Sequence, residues 1–101
     1  KRLKENVVTI DDGLDKVMKL RGVEFDWKGE YKDRGRDLGF IAQEVEEVDG
    51  LDTLVSKNWD IRTNSNDYKT VSYQKIIPVL VEAIKQQQKQ IDELKKKLEE
   101  L

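Results

Sequence analysis

The chain has 101 residues, with 19 Lys and Arg against 21 Asp and Glu, a formal net charge of -2 and an isoelectric point near 5.3. That balance argues against nucleic acid as a partner, because domains that bind phosphate backbones usually carry a strong basic excess. The lack of cysteine removes disulfides and thiolate metal sites, and the lack of histidine removes every Ser-His or Cys-His nucleophile pair.

No apolar run approaches the ~20 residues that cross a bilayer, so no membrane partner is predicted. Hydrophobic residues are 37% and charged residues 40% of the chain. The core is therefore predicted to be thin, since a domain this size buries only ~60–70% of its unfolded surface. Self-association is the simplest way to bury more. The charge is also uneven: residues 37–67 hold two basic residues (Lys57, Arg62) against eight acidic ones, a pattern that reads as a solvated face. Asp11-Asp12-Gly13 lacks the alternating ligands of a calcium loop. Neither a metal nor a cofactor is predicted.

Taken in order, Asp11 and Asp12 are good N-cap residues, and Leu14, Val17 and Met18 follow at helical spacing, predicting a short helix over about 12–20 that Gly22 closes. Val23-Glu24-Phe25-Asp26-Trp27 alternates apolar and charged residues, as a half-buried strand does, with Trp27 expected in the core. Residues 28–37 are charged and contain two glycines, predicting an exposed turn; Arg34 and Arg36 there are offset by Asp33 and Asp37, which disfavours a phosphate site. Ile41, Val45 and Val48 form one stripe of a second short helix. Leu51 to Ser56 reads as a second strand, Asn64-Ser65-Asn66-Asp67 as a turn, and Tyr68 to Ser72 as a strand returning to the sheet. Trp59 falls in a polar loop.

From Tyr73 the pattern changes. Apolar residues recur at spacings of three and four, placing Ile77, Ile84, Ile91 and Leu98 at heptad positions a, and Tyr73, Leu80, Gln87, Leu94 and Leu101 at positions d. Beyond Gln86 only a and d are apolar, the narrow stripe of a coiled coil rather than the wider stripe of a helix packed on its own domain. A helix of ~30 residues extends ~45 Å, farther than the remaining residues can cover. Pro78 lacks an N–H and predicts that the helix either starts close to Gln74 or kinks in its first turn. Gln87 is a polar layer in an apolar seam, of the kind that fixes register at a cost in stability. The seam alone leaves dimer and trimer open.

Four segments together resemble a known module: Lys1-Arg2-Leu3-Lys4-Glu5-Asn6; Leu20-Arg21-Gly22-Val23-Glu24-Phe25-Asp26-Trp27; Leu38-Gly39-Phe40-Ile41-Ala42-Gln43-Glu44-Val45; and Tyr68 to Tyr73 running into Ile76 to Ile84. In order and spacing they are similar to the C-terminal intramolecular chaperone domain of phage tail spikes, tail fibres and endosialidases, an auto-processing serine-peptidase-like module also found in myelin regulatory factors. The resemblance implies an α+β head, residues 1–72, followed by a long helix, residues 73–101, that forms a parallel trimeric coiled coil through Ile77, Leu80, Ile84, Gln87, Ile91, Leu94, Leu98 and Leu101. It further implies a homotrimer that aligns and helps to fold the upstream fibre or spike of the same polypeptide in the host cytoplasm, and then cuts itself off.

In that family the cut uses a serine nucleophile and a lysine general base, which requires no histidine but does require a lysine neutral enough to take the hydroxyl proton. The family motif is a Ser-Asp pair, any residue, then Arg-Leu-Lys. Lys1-Arg2-Leu3-Lys4 matches its end and places Lys4 at the dyad lysine, with the Ser-Asp pair falling just before Lys1; Ser56, Ser65 and Ser72 do not occupy its place. Without that serine the 101 residues are expected to have no hydrolase activity. Two other readings fit the same pattern: a permanent coiled-coil-tethered receptor-binding tip, and the processing domain of a membrane-tethered transcription factor.

Overall fold

The computed structural model describes residues 3–60 and 65–101, with side chains described for 3–57 and 69–101. Residues 3–12 form an irregular arm. Helix α1 (Gly13–Met18) follows, then strand β1 (Val23–Asp26), a 3-10 turn (Gly29–Arg34), strand β2 (Arg36–Gly39), helix α2 (Ala42–Glu47), a second 3-10 turn (Asp52–Leu54), strands β3 (Val55–Asp60) and β4 (Ser65–Val71), and helix α3 (Tyr73–Glu99). The fold is α+β, short elements followed by one long helix.

β1 alternates as its sequence requires, with Val23 and Phe25 half-buried and Glu24 and Asp26 exposed. It pairs antiparallel with β2, Val23 opposite Gly39 and Asp26 opposite Arg36, and the Arg36 guanidinium donates to the Asp26 carboxylate across the strands at 2.9 Å. β3 and β4 form a second antiparallel hairpin with Val55 opposite Val71, irregular between Asn58 and Asp60. The expected single sheet is therefore two separate hairpins. Phe25, Phe40 and Tyr73 line a groove between them. Ser65, Asn66 and Asp67, expected in a turn, open β4; Asn64 and the Trp59 side chain lie outside the described residues.

The core is thin. Val45 of α2, Val48 and Leu51 from the segment after it, Leu54 of the second 3-10 turn, and Ile76 and Val79 of α3 are buried together. Ile41, expected on the α2 stripe, is instead the N-cap residue with extended backbone, one step before the helix begins, and stays exposed. The Ser72 amide donates to the Leu54 carbonyl at 2.7 Å and fixes where β4 gives way to α3. Pro78 sits at the sixth residue of α3. Its missing N–H removes one bond, that to the Gln74 carbonyl, just past the four N–H groups at the end that have no helical partner.

Two details hold the short elements to α3 and α2. Gly13 lies against the α3 backbone: a Cβ built there stands 2.9 Å from both the Ala83 nitrogen and the Val79 oxygen. The Arg21 guanidinium grips the Glu44 carboxylate with two hydrogen bonds, 3.0 Å from Nε and 2.6 Å from a terminal nitrogen, tying the entry of β1 to α2.

Gly13→Val is expected to destabilise the chain by about 1–3 kcal/mol by forcing α1 off α3, read as a lowered urea midpoint. Gly22→Ala, where a Cβ meets nothing within 4 Å, serves as the neutral control. The Arg21 hydrogen bonds hold the Glu44 carboxyl below its usual 4.5, so the pair stabilises the fold above that pH and the contribution is lost as pH falls through the lowered value. Glu44→Gln is therefore expected to unfold at lower temperature than the wild type at neutral pH, the difference closing as the pH falls below the carboxylate range.

Candidate functional site

Helix α3 is wrapped by its own chain on some faces and bare on one. Ile76, Val79 and Ala83, at heptad positions g and c, are buried against the head. One turn on, Gln86 (position c) clasps the start of α1: its Oε1 accepts the Leu14 amide at 2.8 Å and its Nε2 donates to the Asp11 carbonyl at 2.7 Å. Asp12 precedes α1 without capping it through its side chain. Its carboxylate pairs with Lys16 instead, which lowers the Asp12 pKa. The arm passes on another flank, where Val8, Thr9 and Ile10 line a groove with Pro78, Val81 and Glu82.

What remains open is the a/d stripe. Ile77, Leu80, Ile84, Ile91, Leu94, Leu98 and Leu101 are 38% to 98% exposed, and Gln87 between them is exposed as well. From Ile77 to Leu101 these residues lie on one stripe that the described residues leave largely uncovered, beside the face packed on the head, whereas Tyr73, the first d position, packs on Phe40. The 27 residues of α3 span ~40 Å at 1.5 Å per residue. The radius of gyration of 18.5 Å against the ~13 Å of a compact 100-residue domain reflects how far the helix projects.

Lys4 stands apart from this stripe. It is exposed in the arm and makes no hydrogen bond or ion pair with any described residue. Neither burial nor a paired group lies beside it, and the single chain brings it to no other candidate residue.

Trp27 is half-buried rather than core, because β1 ends at Asp26 and leaves the ring on the rim of the hairpin. There it meets Phe25 edge-on at 5.0 Å, donates from its indole nitrogen to the Asp37 carboxylate at 3.2 Å, and lies 5.0 Å from the Arg34 guanidinium, which also covers Tyr31. Arg34 and Arg36 are both engaged within the hairpin.

Sequence reasoning missed the groove of about 400 Å³ between the hairpins. Phe40 stacks on Tyr73 there at 5.8 Å, and the Tyr73 hydroxyl accepts the Phe40 amide at 3.1 Å. A Cβ on Gly39 would stand 2.5 Å from that hydroxyl, and the glycine was the one available signal. Lys69, on the same groove, pairs with Glu46. Among the described residues no helix is long and apolar enough to cross a membrane.

Residues 1–56 match the model of a family described as chaperone of endosialidase. Over 100 residues the chain is 39% identical to the long tail fiber protein Gp37 of Enterobacteria phage K3, covering 96% of this chain and 8% of that protein. The Gp37 of Enterobacteria phage T2 is likewise 39% identical, over 96% of this chain and 7% of that protein. The Gp37 of Enterobacteria phage M1 is 34% identical over 98 residues, 93% of this chain and 37% of that protein. The chain thus spans well under half the length of these curated relatives.

Proposed function

The chain belongs to the endosialidase-chaperone family, and from that premise we propose that it is an intramolecular chaperone that trimerises in parallel through α3, registers three copies of an upstream phage tail fibre during virion assembly in the host cytoplasm, and is released by self-cleavage. The observation that carries this reading is the open a/d stripe. Seven large aliphatic side chains stand in water on a helix whose adjacent face is already satisfied, and a copy of the same stripe is the surface that matches their spacing. The tail fibre relatives favour a fibre as the upstream part over a transcription factor.

The mechanism follows from chain physics. Long β-rich chains make their contacts late and slowly because those contacts are non-local. Joining three chains at one end replaces a three-body encounter with an effectively intramolecular one, at a concentration set by the tether. The head, residues 1–72, rides on the helix, residues 73–101, and Gln87 sets the register. The chaperone acts on its own polypeptide and needs neither nucleic acid nor a membrane.

Cleavage is assigned to a serine of a Ser-Asp pair placed just before Lys1, with Lys4 accepting its proton. A lysine takes a hydroxyl proton only in its neutral form, and on this reading assembly of the heads against the fibre supplies the setting for it. The carbonyl of the peptide bond just before the serine passes to the serine hydroxyl as its C–N bond breaks, and the hydroxyl proton goes by way of Lys4 to the freed amine. Water then hydrolyses the ester to the new carboxylate and the regenerated hydroxyl, with the pair delivered at high effective concentration.

In a precursor that carries the upstream fibre and the Ser-Asp pair, Ile84→Asn with Ile91→Asn is expected to leave the fibre as unassembled, uncut chains, read by denaturant-resistant trimers on a gel. Lys4→Ala and Lys4→Arg are expected to give full-length trimers that stay uncut, the second because a guanidinium does not give up its proton at neutral pH. Efficient cutting by the Lys4→Ala precursor would remove the dyad assignment; assembled fibres from the double Asn precursor would remove the chaperone reading.

A further inference from the structure

We propose that, in the trimer, the Gln87 layer is a binding site on the threefold axis for a small monovalent anion of the halide class. The site rests on the trimer reading, since it exists only where three chains meet.

The chain separates three adjacent glutamines by what they do. Gln86 spends both ends of its carboxamide on Leu14 and Asp11. Gln88 donates to the Asp92 carboxylate at 2.9 Å. Gln87, between them, makes no side-chain hydrogen bond among the described residues and sits at a seam position flanked by the Ile84 and Ile91 layers. Trimerisation takes it out of water without giving it a partner from its own chain.

Donor arithmetic then decides what the layer holds. A carboxamide has two N–H donors and one oxygen, so three carboxamides bring twice as many donors as oxygens. A ring in which each Gln87 donates to the next uses one N–H per chain and leaves the other directed into the seam. The surrounding backbone carbonyls are engaged in α3, and the isoleucine layers above and below exclude bulk water. Donors left in such a place are costly, and an anion on the axis accepts all three without bringing protons of its own.

The local field agrees. Between Glu82 and Asp92 each chain carries Lys85 and Lys89 and no acidic residue. Lys85 reaches Glu82 at 3.5 Å, and Lys89 has no ion pair among the described residues. Both take outward positions, b and f, so they do not touch the layer, but the charge they add to this stretch of the helix is positive, which favours an anion over a cation.

The test uses the 101-residue chain, dialysed into sodium gluconate and titrated with sodium chloride or bromide at fixed ionic strength, with sedimentation reporting the trimer. Chloride is expected to tighten trimerisation by about tenfold when it reaches about ten times its dissociation constant. Gln87→Met, of similar size and without N–H donors, is expected to lose that dependence. A crystal grown in bromide is expected to show one anomalous peak on the axis at the level of residue 87. Trimers equally stable in gluconate and chloride, a water in place of the bromide peak, or a chloride dependence kept by Gln87→Met would each overturn the site while leaving the trimer standing. A wild-type chain that stays monomeric would overturn the site and the trimer together.

Discussion

Everything in this molecule depends on how α3 divides its surface between its own head and water. Ile76, Val79 and Ala83 go to the head, and the adjacent stripe from Ile77 to Leu101 is left largely exposed by the described residues. Fully burying one large aliphatic side chain is worth about 1.5–3 kcal/mol, so the seven on this stripe represent on the order of 10 kcal/mol per chain. That is comparable to the 4–15 kcal/mol or so that association costs. The thin core leaves little stability in reserve, and burial of the stripe is the largest apolar gain still open to the chain.

The remaining contacts keep that stripe clear. Gly13 lets α1 lie directly on the α3 backbone, and Gln86 holds the chain before and within α1 on the c-position side. The stacking of Phe40 on Tyr73 seats the groove at the first turn of α3. These contacts fix the head to one side of the helix, so three heads can be carried around a shared axis without entering the seam. On the proposed reading this is how a small folded head and a sticky helix coexist: the head sets direction and the seam sets number and register.

The parts of the structure legible in the sequence are those with a local period. The a/d pattern from Ile77 to Leu101 marked the stripe of α3 that stays exposed because a and d repeat with no other constraint, and the alternation of Val23 to Asp26 gave β1 within one residue. Strand β2 was illegible because Arg36-Asp37-Leu38-Gly39 is charged and contains glycine, poor strand chemistry by itself; pairing with β1 supplies what propensity lacks. Trp27 kept the strand's parity but not the strand, so its ring ended on the rim. Gln86 looked like one more residue of a glutamine run, and its role comes from Asp11 and Leu14, more than 70 positions away. Lys4 is singled out only by its motif and remains a proposal, since nothing packed around it among the described residues marks it as different from a surface lysine.

On the proposed reading the stripe is closed by two further copies of itself. Sedimentation equilibrium of the 101-residue chain at tens of micromolar tests it most directly. The account predicts one species at three times the chain mass of 11.8 kDa, stable to dilution into the low micromolar range. A single species at the chain mass itself, or at twice that mass, over the same concentrations would contradict it.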